Sequence, residues 1–150
     1  MEMTFFFDLD GTLGLLYQVD NWLSKLRAYD PSPYLEAAVM HNMSLLARYL
    51  NKLQRMGHRL GIISWLSRES TDEYDAAVTK AKLTWVAQHL KSVKWDAIHI
   101  VPYGTPKSLF ITSEDDILFD DELRHREAWP GMAYEPDKIM ETLKGFLAGE

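Results

Sequence analysis

Short apolar runs alternate with longer segments of helical periodicity, and this alternation constrains the fold more than any other feature of the chain. The runs cover residues 4–7, 59–63, 97–101 and 117–119, with a weaker one at 132–134. Strands that are buried on both faces of a parallel sheet have uninterrupted apolar sequences of this kind. Alternation of such strands with helices predicts βαβ units, and therefore an α/β, three-layer, Rossmann-like fold with a mostly parallel sheet.

Helices are predicted over residues 20–28, 33–56, about 72–90 and 136–147. In the second of these, apolar residues recur at steps of three and four, as on one face of a helix; they are Leu35, Val39, Met43, Leu46, Leu50 and Leu53. Pro33 suits a first helical turn, and Gly57 stands where a C-terminal cap is expected. Neither a repeat nor a linker interrupts the 150 residues, which are enough for one domain with one core.

Composition excludes several classes of protein. The formal charge of −6 argues against a broad basic surface for nucleic acid, although a nucleotide or a nucleic-acid end can bind at a locally positive site. The absence of cysteine excludes disulfides and thiolate metal sites. No apolar run approaches the ~20 residues that span a bilayer, and the first residues lack the features of a signal peptide. We expect a cytoplasmic protein that does not bind membranes.

Polar residues follow three of the predicted strands, and in open parallel sheets ligands bind beyond the carboxyl ends of strands. These residues are Asp8, Ser64 and the pair Asp120-Asp121. They are far apart in the sequence, yet the predicted topology gathers them at one edge of the sheet. This edge is therefore the predicted location of a functional site.

The first of these positions opens the sequence DLDGTL at residues 8–13. Two carboxylates that are separated by one residue at a strand end, Asp8 and Asp10, can lean toward the same crevice. One can attack an electrophile while the other transfers a proton. Gly11 allows the sharp turn that follows, because glycine tolerates backbone angles closed to other residues.

The sequence DLDGTL resembles motif I of the haloacid dehalogenase-like (HAD) superfamily of phosphatases with an aspartyl nucleophile. The other motifs of that superfamily follow in the expected order. Ser64 resembles the hydroxyl residue of motif II, Lys107 resembles the motif III lysine, and Asp120-Asp121 resembles the acidic pair of motif IV. The resemblance spans most of the chain, and it implies a single HAD-like phosphatase domain over residues 1–150.

The resemblance implies a role for each matching residue. Asp8 would attack phosphorus to form an aspartyl phosphate, and Asp10 would act as the acid and then the base. Ser64 and Lys107 would bind the phosphoryl oxygens. The implied cofactor is Mg²⁺, which prefers oxygen ligands. Its ligands would be a carboxylate oxygen of Asp8, the backbone carbonyl of Asp10 and Asp121, with Asp120 close by.

Many HAD enzymes carry a cap domain after motif I or between motifs II and III. Here the first interval holds only two predicted helices, and the second holds about one helix and one strand. The chain is therefore expected to be capless, with residues 14–57 as a helical insert or minimal lid. An open site suits a phosphoprotein or a nucleic-acid end, or is closed by a second subunit of a homo-oligomer.

The segment 15–34 is rich in aromatic residues that can stack on a base, namely Tyr17, Trp22, Tyr29 and Tyr34. The leading substrate hypothesis is therefore a nucleotide or a nucleic-acid 3′-phosphate, which would make the protein a nucleotidase; a phosphoprotein is the alternative. Trp65 fits a core position and a substrate-stacking wall equally well. Arg124 fits either a charge on a helix surface or a phosphate contact. A non-catalytic binding or regulatory module is the rival hypothesis, although no motif residue is missing.

Overall fold

A five-stranded sheet in which all paired strands are parallel forms the centre of the computed structural model, which describes residues 2–149. The strands are β1 (Thr4–Phe7), β2 (Arg59–Trp65), β3 (Ala97–Val101), β4 (Ile117–Phe119) and β5 (Ala133–Tyr134). Their order is β3-β2-β1-β4-β5. The predicted α/β class is confirmed, and β1 lies at the centre of the sheet.

Within residues 2–149, six α-helices connect or flank the strands. They are α1 (Trp22–Arg27), α2 (Ser32–Glu36), α3 (Met43–Arg55), α4 (Asp72–His89), α5 (Leu123–Ala128) and α6 (Ile139–Ala148). Short 3-10 turns lie at Leu16–Gln18, Lys107–Phe110 and Pro136–Lys138. The longest helices begin at side-chain caps, because Asn42 accepts from the Leu45 amide and Thr71 from the Tyr74 amide. Among the described residues, no helix has the length and apolarity that crossing a membrane requires.

The alternating side chains of β1 divide the core into two layers. Phe5 and Phe7 pack in the larger layer, together with residues of α3, α4 and α6, whereas Phe6 packs on the opposite face beside Trp129. All three phenylalanines are buried, and each contributes about 1.5–3 kcal/mol of transfer free energy. A Cβ at Gly61 would stand 2.6 Å from the Phe6 ring, so the neighbouring strand needs glycine there. Close packing around β1 thus fixes the strand that carries Asp8.

The predicted single helix over 33–56 is wrong between residues 37 and 42, where the chain leaves the helical conformation. The Leu15 amide donates to the Ala38 carbonyl at 2.8 Å, and the Met40 amide donates to the Leu13 carbonyl at 3.0 Å. Trp85 also donates its indole N–H to the Ala37 carbonyl at 2.8 Å. These tertiary hydrogen bonds replace helical ones. Leu35, which the helical pattern placed on the buried face, is 41% exposed.

Two other element boundaries differ from the prediction. β2 runs to Trp65, so Ser64 lies inside the strand and is paired with Ile100 of β3. The hydrophobic run ends at Ile63, but the pairing with β3 continues for two residues beyond it. The terminal helix begins at Ile139 rather than at Pro136, because a 3-10 turn precedes it.

Candidate active site

The carboxylates of the predicted site meet where β1 and β4 end. These strands are neighbours in register, with Phe7 beside Phe119, so the residues that follow them also lie side by side. The Asp8 amide donates to the Phe119 carbonyl at 2.9 Å and continues the ladder by one bond. Motif I and the motif IV pair, which are distant in sequence, therefore share one edge of the sheet.

Two donors fix the buried carboxylate of Asp8. Lys107 Nζ lies 3.1 Å from Asp8 Oδ1, and the Thr12 hydroxyl lies 3.1 Å from Asp8 Oδ2. Lys107 also contacts Asp120 Oδ2 at 2.6 Å. Burial lowers the pKa of Lys107, but the attraction of Asp8 and Asp120 outweighs it and raises the pKa overall. Lys107 therefore stays charged and bridges the two aspartates.

The acidic pair after β4 is divided between two environments. Asp120 is fully buried, and its second oxygen accepts from the Glu122 amide at 3.0 Å. Asp121 lines an open cavity, and its amide donates to the Thr12 hydroxyl at 3.2 Å. Burial, followed by repulsion from Asp8, raises the pKa of Asp120 to about 7 and that of Asp121 to about 8. Both carboxyl groups are therefore harder to ionise than a free aspartic acid, because each negative charge would lie beside that of Asp8.

Gly11 allows the acids to approach one another. Its φ of +79° lies in the left-handed region, and a Cβ at this position would collide with the carboxylate of Asp121. Glycine is therefore required at position 11 for two reasons: the backbone angle of the predicted turn, and the lack of space for a side chain.

The donor set fits a hard divalent cation. Asp8, Asp120 and Asp121 each offer a carboxylate oxygen, and these oxygens lie within 4.8 Å of one another. Mg²⁺ prefers such oxygen ligands and commonly uses one or two carboxylates. Because both oxygens of Asp120 already have hydrogen-bond donors, Asp121 is the more available ligand of the pair.

A buried lysine that the sequence analysis missed holds the second carboxylate of motif I. Lys82 of α4 is 1% exposed, and its Nζ lies 3.0 Å from Asp10 Oδ2, 2.7 Å from Ser64 Oγ and 2.8 Å from the Trp65 carbonyl. A signal was present in the sequence. Lys82 stands among the apolar positions of α4 that face the core, together with Val78, Ala81, Trp85 and Val86. A lysine in such a stripe needs a buried acid.

The predicted site residues occupy different positions around one cavity. Its volume is about 250 Å³. Of the predicted residues, the cavity is lined by Asp8, Asp10, Trp65, Lys107, Asp121 and Arg124. Asp120 and Ser64 are fully buried behind it. Since the Ser64 hydroxyl accepts from Lys82, its contact with a phosphoryl group stays a prediction.

Trp65 and Arg124, for which the sequence allowed two interpretations each, both lie at the cavity. Trp65 is half-buried at the cavity, where its indole N–H donates to the Thr105 carbonyl at 2.7 Å. Arg124 is exposed and lies over the Trp65 ring at 4.9 Å. Arg126, two residues after Arg124, donates to the Asp120 carbonyl at 2.9 Å and so stabilises the loop that carries Asp120 and Asp121.

The segment 15–34 contributes three of its four aromatic residues to the cavity. Tyr17, Trp22 and Tyr34 line it. Tyr29 packs edge-on against Tyr74 at 5.5 Å and lies outside it. α3, which also lies within residues 14–57, packs in the core through Leu46, Leu50 and Leu53. Within residues 14–57, the part of the chain up to α2 therefore borders the cavity, and α3 does not.

Among the solved structures that resemble this chain are two phosphatases that align with most of its length. D,D-heptose 1,7-bisphosphate phosphatase from Burkholderia thailandensis matches with a TM-score of 0.57 and 16% identity, over 97% of this chain and 98% of that one. The enzyme of the same name from B. bronchiseptica, complexed with magnesium and phosphate, matches with a TM-score of 0.55 and 14% identity, over 93% and 86%. No family model and no curated protein matches the sequence. The two structures confirm the fold that motif I predicted: this chain adopts the HAD-like fold of these phosphatases.

Proposed function

We propose that this protein is a Mg²⁺-dependent phosphomonoester hydrolase that works through an aspartyl phosphate on Asp8. One observation carries the proposal: the Asp8 carboxylate lies at an open cavity, held by Lys107 and Thr12, with Asp10 two residues away at the same cavity. A buried carboxylate with one cationic partner and a neighbouring acid is a suitable nucleophile for phosphoryl transfer. The HAD-like fold of two phosphatases supports the same chemistry.

In the first step an oxygen of Asp8 forms a bond to phosphorus while the bond from phosphorus to the leaving oxygen breaks. Asp10 gives its proton to that leaving oxygen. This role requires a protonated Asp10 at the start of the reaction. Burial raises the pKa of Asp10, although attraction to Lys82 partly opposes the rise. The side chain is therefore suited to carry a proton to the leaving group.

In the second step water attacks phosphorus, Asp10 accepts a proton from that water, and the bond to Asp8 breaks. Inorganic phosphate leaves, and Asp8 and Asp10 return to their starting states. Lys107, 3.1 Å from Asp8, offsets the charge that develops on the transferring group. Lys82 holds Asp10 in one orientation through its 3.0 Å contact during both transfers.

The residues that would hold Mg²⁺ are Asp8, the carbonyl of Asp10 and Asp121, with Asp120 close by. When bound, the ion would neutralise charge on the phosphoryl oxygens. The close grouping of three carboxylate oxygens supports this assignment.

The substrate class proposed is a nucleotide or a nucleic-acid 3′-phosphate. Aromatic residues on the cavity support it, since a base can stack on them. The phosphatases of similar fold are named for a heptose bisphosphate, but their low identity does not carry that substrate over. The cytoplasmic location and a homo-oligomer stay predictions, as does a lid formed by part of residues 14–57.

The test is hydrolysis of p-nitrophenyl phosphate with and without Mg²⁺ by the wild type, Asp8→Asn and Asp137→Asn. Asp137 is exposed and outside the cavity, so its variant controls for the loss of an aspartate. We expect Mg²⁺-dependent release by the wild type and the control, and none by Asp8→Asn. Wild-type rates in Asp8→Asn, or rates indifferent to chelation of Mg²⁺, would contradict the proposal.

A further inference from the structure

One side of the cavity is a wall in which guanidinium groups alternate with aromatic rings. The cation–aromatic wall consists of Trp65, Arg68, Tyr103 and Arg124, which come from β2, from the loops after β2 and β3, and from α5. Arg68 lies 6.0 Å from the Tyr103 ring centre, and Arg124 lies 5.8 Å from it. The Trp65 and Tyr103 rings are 4.8 Å apart. Four side chains from three separate parts of the sequence thus form one continuous surface.

This wall is only partly engaged in holding the fold together. Tyr103 is 41% exposed and Arg68 is exposed, and among residues 2–149 no acidic group lies within ion-pair distance of Arg68. Arg124 has a partner, since its guanidinium lies 3.3 Å from the exposed carboxylate of Glu122. Trp65 is fixed from behind by its bond to Thr105 and by the edge of His125 at 4.4 Å. The wall therefore combines a rigid ring with exposed donors.

The cavity has room for a ring system beside the reacting group. A cavity of about 150 Å³ is sufficient for benzene, and this one measures about 250 Å³. Its other aromatic lining includes Tyr17 and Trp22, whose rings contact each other edge-on at 5.0 Å. Asp8 and Asp10 line the same cavity as the wall, so a ligand on the wall shares this space with both carboxyl groups.

We propose that the cation–aromatic wall is the leaving-group subsite, and that it takes the base of a nucleoside monophosphate. The inference rests on the proposed phosphatase function and narrows its substrate. Bases stack on aromatic rings and on guanidinium planes, and arginine donates to the acceptor atoms on their edges. A sugar phosphate without a base offers no planar face to this wall. A mononucleotide fits better than a polynucleotide, because a chain of net charge −6 does not attract a long phosphate backbone.

The test compares kcat/KM for adenosine monophosphate, as the 5′ and the 3′ isomer, with kcat/KM for ribose 5-phosphate. Ribose 5-phosphate is the 5′ isomer with a hydroxyl group in place of its base. Stacking of one base supports a preference of at least about 10-fold for the better nucleotide isomer. A ratio near one would overturn the inference. A 3′-phosphorylated oligonucleotide that is hydrolysed more than 10-fold better than either isomer would also overturn it, since the substrate would then be a polynucleotide.

Two variants test whether the cation–aromatic wall causes the preference for adenosine monophosphate over ribose 5-phosphate. Tyr103→Leu removes the π-face of an exposed side chain but keeps its apolar bulk, and Arg68→Gln removes an exposed charge. Both should lower the ratio of the two kcat/KM values, Tyr103→Leu by about 5-fold or more. Because both substrates use the same Asp8 and Asp10, damage to the chemistry cancels in this ratio. The control is Tyr29→Leu, which removes an exposed ring outside the cavity and should leave the ratio unchanged.

Failure of this inference differs from failure of the proposed function. If p-nitrophenyl phosphate is hydrolysed, and ribose 5-phosphate is hydrolysed as efficiently as the better adenosine monophosphate isomer, the subsite is overturned and the phosphatase proposal stands. If no phosphate ester is hydrolysed, the phosphatase proposal fails, and binding decides the subsite. Equilibrium dialysis of Asp8→Asn with adenosine monophosphate and with ribose 5-phosphate then supports the wall if only the nucleotide binds, and overturns it if they bind alike or neither binds.

Discussion

Two fully buried aspartates lie at opposite ends of β4, and their surroundings differ in kind. Asp116, before the strand, accepts from the Thr4 amide at 2.8 Å and from the amides and hydroxyls of Thr112 and Ser113. Asp120, after the strand, contacts Lys107 at 2.6 Å and lies beside other carboxylates, of which Asp8 and Asp121 line the cavity. Burial of an acid is therefore no sign of function by itself. Neutral donors on every side indicate a structural carboxylate, whereas a lysine and crowded acids indicate chemistry.

The largest effect on stability is expected from substitution of Asp116, the aspartate that has only neutral donors around it. Asp116→Asn places an amide N–H₂ against backbone N–H donors and leaves at least one of them without an acceptor in a buried site. We expect a loss of about 3 kcal/mol and a Tm lower by about 6–12 °C. At temperatures where the variant is folded, its kcat should remain within about 2-fold of the wild type. Thermal unfolding and a rate at low temperature measure the two quantities.

The converse change, Asp120→Asn, should damage activity instead. Lys107 keeps Asp8 but loses its second carboxylate, so the charges around the nucleophile are rearranged. We expect kcat to fall about 100-fold, while stability falls by less than in Asp116→Asn, because the substitution also removes repulsion between acids. A destabilised variant with normal kcat would show that Asp120 is structural, like Asp116, and would end the comparison.

Lys82 offers an intermediate test, since it is buried like Asp116 but touches an acid of the site. Lys82→Met keeps the length of the side chain and removes the contacts with Asp10, Ser64 and the Trp65 carbonyl. We expect kcat to fall about 10-fold, with a change in the pH dependence of kcat, because Asp10 loses its partner. Lys80→Met, on an exposed position of the same helix, is the control. An unchanged pH profile would mean that Lys82 only packs.

The smallest expected effect is that of Arg126→Gln. The side chain donates to the Asp120 carbonyl at 2.9 Å and approaches Glu135 at 3.4 Å near the surface. Loss of these contacts should lower stability by about 1 kcal/mol or less, and kcat by about 2-fold. Chemical denaturation and steady-state kinetics measure both. A loss of activity as large as that of Asp120→Asn would place Arg126 among the functional residues.

The sequence predicted the strands and motif I well because both depend on local signals. An apolar run followed by Asp8 marks β1, and Gly11 marks the turn. The break at residues 37–42 could not be seen in this way, since it depends on hydrogen bonds to Leu13, Leu15 and Trp85 that only the folded chain brings near.

The candidate site shows the same limit. Asp8, Asp10, Lys107 and Asp121 were predicted from motifs, and the structure brings them to one cavity. Lys82 was not predicted as a site residue, because lysines on helices are ordinarily exposed, and only its apolar neighbours on α4 indicated that it is buried. The cation–aromatic wall joins residues from three separate parts of the sequence, and no sequence pattern links them.

The two ends of the segment between Leu15 and Ala38 lie side by side in the structure. They are tied by the hydrogen bond from the Leu15 amide to the Ala38 carbonyl, and Gly14 and Val39 form an antiparallel bridge beside it. The entropy of closing a loop grows only logarithmically with its length, so doubling this one costs about 0.6 kcal/mol. Insertions here can reshape the mouth of the cavity at little cost to the sheet. The fold thus separates the evolution of what the cavity admits from the evolution of the residues that react inside it.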